Sequence, residues 1–250
     1  MTRNEAHDRA IAAVNAAGGP TEGKPDMDED GVIAFHQFII NEYTPPADKR
    51  FLIFFQCCVG RPFYRTGSHG SMRKAVAIAT GHDPWKDFDR CPAHVVVLAS
   101  RVGPAPYELQ DMWPINVSSG GVKHFSHDYY WEMRPVLAGR MAEYITTHGP
   151  HYEHLATFTQ GRYADVMYEA ARIAGVEFPI FPDEGGERII RHANGKAPRT
   201  YWQKFWVQLC REIIGWLTPA EQQAAAARRA KLDLKTETPR PWQPLSRERP

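Results

Sequence analysis

Between positions 57 and 69 the chain reads Cys57-Cys58-Val59-Gly60-Arg61-Pro62-Phe63-Tyr64-Arg65-Thr66-Gly67-Ser68-His69. Two thiols, two guanidiniums, the Thr66 and Ser68 hydroxyls and an imidazole thus fall within thirteen positions. A thiolate attacks electrophilic carbon, and it works best beside positive charge and a proton donor or acceptor. The segment offers Cys57 or Cys58 as nucleophile, His69 as general acid or base, and Arg61 to orient a substrate or offset charge. A helix expected from about residue 71 adds the free N–H groups of its amino end. The same cysteines also suit a plainer role, as small apolar side chains closing the end of a strand.

The elements that would position this segment follow from the apolar pattern. Phe51-Leu52-Ile53-Phe54-Phe55 is a continuous apolar run, the signature of a strand buried on both faces of a mostly parallel sheet. Residues 94–100 and 155–159 read the same way, the former rich in the β-branched residues that suit a pleated surface. Helical patterns occupy residues 5–17, 32–43, 71–80, 127–147 and 162–174, with Pro135 predicting a kink or break in the longest. Alternating strands and helices predict an α/β fold: a mostly parallel sheet with flanking helices, right-handed crossovers and extra carboxy-terminal helices. The expected divisions are residues 1–50 as an amino-terminal helical and loop segment, 51–217 as the α/β catalytic core, and 218–250 as a helix with a mobile tail. Pro179 and Pro182 flank a short strand candidate, and residues 200–217 form an aromatic helix bearing Trp202, Phe205, Trp206 and Trp216. Its helical spacing predicts docking on the sheet rather than stacking on nucleic-acid bases.

In open α/β sheets ligands gather at the carboxyl ends of the strands. That rule selects three loops. The first is the cysteine segment, where Pro62, Phe63, Thr66 and Ser68 join Arg61 as substrate-binding candidates. The second follows residue 100 and contributes Ser100, Arg101, Gly103 and Tyr107, with Glu108 as a base or amine-holding carboxylate. The third contributes Gln160 and Arg162, the arginine at a helix start where a phosphate would sit. Glu108 equally fits a partner for a helix dipole. Lys123, His124 and His127 read as a solvated loop, and His148, His151 and His154 as surface histidines rather than a metal site.

Totals set further bounds. In 250 residues, 30 Lys and Arg against 29 Asp and Glu give a net charge of +1, so no global field draws the chain to nucleic acid or an anionic membrane. Any contact with a polynucleotide must be local. The four cysteines lack paired C-x-x-C spacing, so neither a metal nor another cofactor is expected. The opening residues carry no basic-then-apolar leader, and no apolar run approaches the roughly 20 residues that span a bilayer. The expectation is a cytoplasmic protein in a reducing compartment, with no membrane partner.

The spacing Cys57-x-x-x-Arg61-Pro62-Phe63-x-x-Thr66-x-x-His69 resembles the P-C-x-x-x-K-P-Y-x-x-S-x-x-H signature in the core of the archaeosine synthases. Cys57, Pro62 and His69 match identically. Arg61 stands for Lys, Phe63 for Tyr, Thr66 for Ser, and Gln56 where the family has proline. The stretch from Val95 through Gly103-Pro104-Ala105-Pro106-Tyr107-Glu108-Leu109-Gln110 to Trp113-Pro114 is similar to the family's strand, G-x-x-P-x-E-L-E and aromatic-proline segment. The likeness covers roughly residues 51–174. The transglycosylase-like amino-terminal domain and the RNA-binding module of the archaeal enzymes have no evident counterpart, so a free-standing core is expected.

The resemblance implies a transferase that adds an amine, such as that of lysine, to the nitrile of 7-cyano-7-deazaguanine in DNA or tRNA. It implies Cys57 as the covalent partner with Cys58 as its substitute, His69 as acid or base, Arg61 as an orienting group, and a partner protein for nucleic-acid recognition. A phage setting would favour DNA. The alternatives are a non-catalytic nucleic-acid-binding module of the same fold, and another transferase or hydrolase acting on a modified base.

Overall fold

A computed structural model describes residues 1–118, 120–182 and 199–231. The chain forms helices α1 (Arg3–Ala16) and α2 (Asp30–Asn41), then strand β1 (Phe51–Gln56), helix α3 (Gly67–Thr80) and strands β2 (Ala93–Ala99) and β3 (Gly103–Pro106). Helix α4 (His127–His148), strand β4 (His154–Phe158), helix α5 (Arg162–Ala174), strand β5 (Ile180–Phe181) and helices α6 (Arg199–Trp216) and α7 (Pro219–Lys231) complete it.

The sheet order is β3-β2-β1-β4-β5. Strand β1 lies at the centre, parallel to β2 (Phe51 opposite Ala93, Gln56 opposite Leu98) and to β4 (Phe51 opposite His154, Phe55 opposite Phe158). Its five apolar residues are fully buried, because both faces of the sheet are covered. Alternation along the strand assigns those faces. Phe51 meets Trp216 of α6 at 5.3 Å between ring centroids and Phe55 meets His69 of α3 at 6.1 Å, whereas Phe54 meets Tyr144 of α4 at 6.1 Å. Truncating a buried ring such as Phe54 to alanine costs about 3–5 kcal/mol. The hydrophobic core runs without interruption from Ala6 to Ala225 and includes Phe35 and Ile39 of α2.

Two features differ from the sequence expectation. Residues 103–106, expected as loop, form β3, antiparallel to β2 with Val96 opposite Pro106. Two prolines are tolerated there because β3 is an edge strand whose outer N–H groups need no partner. Gly103 opens it at φ +100°, and a Cβ there would sit 3.0 Å from Arg140 Cβ, so only glycine makes the turn without strain. Helix α4 continues through Pro135 without a break. The carbonyl freed by the missing N–H belongs to Trp131, which is 53% exposed, so water can satisfy it. The short strand expected between Pro179 and Pro182 is β5, the aromatic helix is α6 with Trp206, Leu209 and Ile213 buried, and the expected tail from residue 232 lies outside the described residues. No helix among the described residues is long and apolar enough to cross a membrane.

Candidate active site at the carboxyl rim of the sheet

Strand β1 hands its chain to α3 on one face, and β4, its neighbour, hands its chain to α5 on the other. The adjoining carboxyl ends of β1 and β4 therefore form the switch point at which open α/β sheets bind ligands. The Gln56 side-chain oxygen bridges the two ends by accepting the Gln160 N–H at 2.9 Å. The Gln160 side-chain nitrogen has no hydrogen-bond partner among the described residues.

Cys57 follows directly. Its N–H extends the ladder to the Leu98 carbonyl at 3.2 Å, and its side chain is 3% exposed. Arg61 returns over it: Nη2 donates to Cys57 Sγ at 3.2 Å, Nε to the Ile115 carbonyl at 2.6 Å, and Nη1 to the carbonyls of Gly60 at 3.0 Å and Cys58. The guanidinium also lies 4.1 Å from the centroid of the buried Phe63 ring. These contacts fix a positive charge where a negative one would develop on sulfur. Pro62, half-buried, leads into Phe63. Cys58 is half-buried, with Sγ 3.4 Å from Thr66 Oγ1. Thr66 caps α3, its hydroxyl accepting the His69 N–H at 3.3 Å, and Ser68 Oγ lies 3.5 Å from the Thr66 hydroxyl. A Cβ on Gly60 would fall 2.7 Å from Thr66 Cγ2, so the loop closes this tightly only with glycine.

At the same end of the sheet stands Tyr163, from the first turn of α5 and 3% exposed. Its hydroxyl is 2.8 Å from Ser100 Oγ and accepts the Val122 N–H at 3.1 Å. Ser100, fully buried, also accepts the Val122 N–H at 3.1 Å.

The structure thus brings Cys57, Arg61, Ser100 and Gln160 to one rim. His69 does not join them. It is fully buried, stacked on Phe63 at 4.7 Å, and its Nδ1 lies 2.5 Å from the Tyr107 hydroxyl. Burial first, then the charges of Arg61 and Arg73, push its pKa down to about 3, against a small opposing effect of the Gln56 carbonyl. The imidazole is neutral at physiological pH, its Nδ1 shares a hydrogen bond with the Tyr107 hydroxyl, and among the described residues no hydrogen bond joins the ring to either thiol. That geometry suits a group that holds the loop rather than one that exchanges protons with substrate.

Glu108 also lies elsewhere, and the reason is β3. The antiparallel strand carries the chain back from the rim, placing Glu108 beside the amino end of β2. There it is 2% exposed, 3.1 Å from His94 Nε2, and accepts from the Tyr43 hydroxyl at 2.5 Å. Burial alone would raise its pKa, but His94 and the two hydrogen bonds hold it below the usual carboxylate value.

The other expected contacts are committed within the fold. Arg101 pairs with Asp26 at 2.5 Å, under the Phe125 and Tyr129 rings. Arg162 donates to the Phe125 carbonyl at 2.7 Å and stacks on Tyr130 at 4.5 Å, so it pins a loop. His148 Nε2 bonds the Ile39 carbonyl at 2.7 Å, His151 bonds the Pro46 carbonyl at 3.1 Å, and His154 stacks on Trp216, so the three serve separate partners. A cavity of about 560 Å³ beside His154 and Trp216 lies at the opposite end of β4 from the thiol.

Sequence reasoning missed Tyr163. A tyrosine on the buried face of an amphipathic helix reads as core, and only its place two residues after Gly161 hinted at the rim.

The fold and site define a doubly wound α/β protein with a thiol and a guanidinium at its switch point. Residues 32–187, more than half of the chain, match the family described as Domain of unknown function (DUF5591), and the chain belongs to that family. It is distantly similar to archaeosine synthase subunit alpha of Thermococcus kodakarensis, 24% identical over 149 residues; the match covers 60% of this chain and 24% of that protein. The chain therefore aligns with about a quarter of its relative's length. It also resembles the crystal structure of AF0587, a protein of unknown function, with a TM-score of 0.41 and 12% identity over 82% of this chain and 51% of that one.

Proposed function

We propose that this protein is an archaeosine-synthase-like enzyme that acts on a 7-deazaguanine base in DNA or tRNA, adding an amine to the nitrile of 7-cyano-7-deazaguanine. The observation that carries the reading is the 3.2 Å contact of Arg61 with Cys57 at the β1–β4 crevice, within the segment that resembles the family signature. The chemistry balances in two additions. Cys57 sulfur bonds the nitrile carbon while one C–N π bond opens and the nitrogen takes a proton, giving a thioimide. The amine, such as that of lysine, then bonds the same carbon, and the thiol leaves to yield an amidine. Arg61 offsets charge on sulfur as it arrives and departs. His69 and Tyr107 hold the loop from beneath. Because Cys57 is 3% exposed, a base reaches the sulfur only when the loop around it opens.

The test is incubation with DNA or tRNA containing 7-cyano-7-deazaguanine and lysine, followed by nucleoside mass spectrometry. A mass gain equal to the whole amine supports the reading, and no conversion with either nucleic acid or with any of a panel of amines defeats it. The burial of the thiol favours a second reading, a non-catalytic nucleic-acid-binding module. Salt-dependent binding to either nucleic acid without base conversion would select it.

A further inference from the structure

We propose that the stacked column Arg3–Trp85–Tyr64–Arg65, which grows out of the cysteine loop, is the surface on which the protein holds a phosphodiester backbone. The proposal rests on the reading that the substrate is a nucleic acid, and it supplies the local contact that a net charge of +1 requires. The Arg3 guanidinium lies 3.9 Å from the centroid of the Trp85 ring, Trp85 stacks on Tyr64 at 4.6 Å and 12°, and the Arg65 guanidinium lies 5.4 Å from the Tyr64 ring. Arg65 Nε also donates to the Tyr64 hydroxyl at 3.1 Å. Tyr64 is itself anchored, because its N–H donates to the buried Gln110 side chain at 2.9 Å and its carbonyl accepts from Arg73 at 3.1 Å. The two rings therefore form a fixed wall that holds both guanidiniums in place, so a ligand need not immobilise them again.

The two terminal arginines differ from others in the fold by the absence of a carboxylate. Arg50, Arg73, Arg101 and Arg134 each pair with Asp or Glu. Among the described residues Arg3 and Arg65 pair with none, and the same holds for Lys86, which is exposed and follows Trp85 in the chain. The acids nearby are already committed. Asp83 serves Arg73 and the N–H groups of Trp85 and Lys86, Asp87 serves Arg90 and the Asp83 N–H, and Glu5 closes the capping box of α1. A guanidinium stacked by its face keeps its N–H edge for an anion, and phosphate takes that edge in a bidentate grip. Arg65 stands four residues after Arg61 in the segment that carries Cys57, so a backbone held here engages the loop that covers the thiol.

The test is fluorescence anisotropy of the full chain with unmodified DNA and RNA oligonucleotides, single-stranded and duplex, between about 50 and 200 mM salt. It compares wild type with the double variant Arg3→Ala/Arg65→Ala, with Lys86→Glu, and with the control Arg172→Ala, a cation already paired with Glu169 on α5. The double variant is expected to bind at least about tenfold more weakly, whatever the base sequence, and to lose about two from the slope of log affinity against log salt, one for each phosphate contact removed. Arg172→Ala should keep both affinity and slope. A wild type that binds neither DNA nor RNA overturns the proposal, and so does a double variant with unchanged affinity and slope. Base conversion, read separately by nucleoside mass spectrometry, judges the proposed function on its own. Wild-type conversion that the double variant matches keeps that reading and rejects the column, whereas binding lost in the double variant with no conversion by wild type keeps the column and rejects the reading. Should the double variant lose the wild-type circular dichroism spectrum, Lys86→Glu, which leaves the stack whole, decides: weaker binding with a smaller salt slope supports the proposal, and unchanged binding overturns it.

Discussion

Replacing Glu108 with alanine is expected to destabilise the protein without changing the chemistry of Cys57. The carboxylate is 2% exposed, held between His94 at 3.1 Å and the Tyr43 hydroxyl at 2.5 Å, and His94 in turn is 2.6 Å from the Tyr152 hydroxyl. Removing one partner of a buried ionic and hydrogen-bonded group costs about 3–5 kcal/mol, because the others keep their desolvation penalty and lose its compensation. In a domain of this size each kcal/mol shifts the midpoint by about 2–4 °C, so the melting temperature should drop by roughly 6–20 °C. Differential scanning fluorimetry at pH 7 reads the loss, and Cys57 alkylation well below the new midpoint should keep its wild-type rate. A variant that melts within 2 °C of wild type yet loses all base conversion would refute the structural role and return Glu108 to catalysis.

Three further outcomes follow from the same geometry. The His69 pKa, lowered to about 3, favours the folded state above the unfolded value of 6.5; that stability is lost as pH falls from 6.5 toward 3, at about 1.4 kcal/mol per pH unit. Urea midpoints at pH 7, 5.5 and 4.5 should therefore fall more steeply for wild type than for His69→Asn, and equal slopes would contradict the assignment. Arg61→Met should slow Cys57 alkylation at pH 7 by at least about tenfold, the worth of a charge-assisted hydrogen bond, with Arg61→Lys between the two; an unchanged rate in Arg61→Met would remove the guanidinium from the site. Thr66→Ala, which deletes the α3 cap, should cost about 1 kcal/mol, seen as a lower denaturant midpoint, while Cys57 alkylation stays near wild type.

The three long strands were legible because residues 51–55, 94–100 and 155–159 are apolar on both faces, a pattern that only a doubly covered sheet explains. Strand β3 was not, since Gly-Pro-Ala-Pro reads as a turn until an edge position makes the missing N–H groups harmless. That one omission misplaced Glu108. Cys57 and Arg61 meet, as their spacing suggested, because both lie within five residues of the strand end, where chain direction is still set by β1. His69 lies apart from them because α3 had already begun at Gly67, turning the imidazole under the loop toward Phe55 and Phe63. Tyr163 was invisible for a different reason: it reaches the rim only through tertiary packing, where its hydroxyl lies 2.8 Å from Ser100, 63 positions away in the chain.

The claim on which the rest depends is that Cys57 forms the bond to carbon. Intact-protein mass spectrometry after incubation with a short oligonucleotide carrying 7-cyano-7-deazaguanine, with no amine present, measures it directly. The account predicts a gain equal to one whole oligonucleotide, with nothing lost, mapped to Cys57 and absent from Cys57→Ala. Unmodified protein, or an adduct on Cys58 that persists in Cys57→Ala, would contradict it.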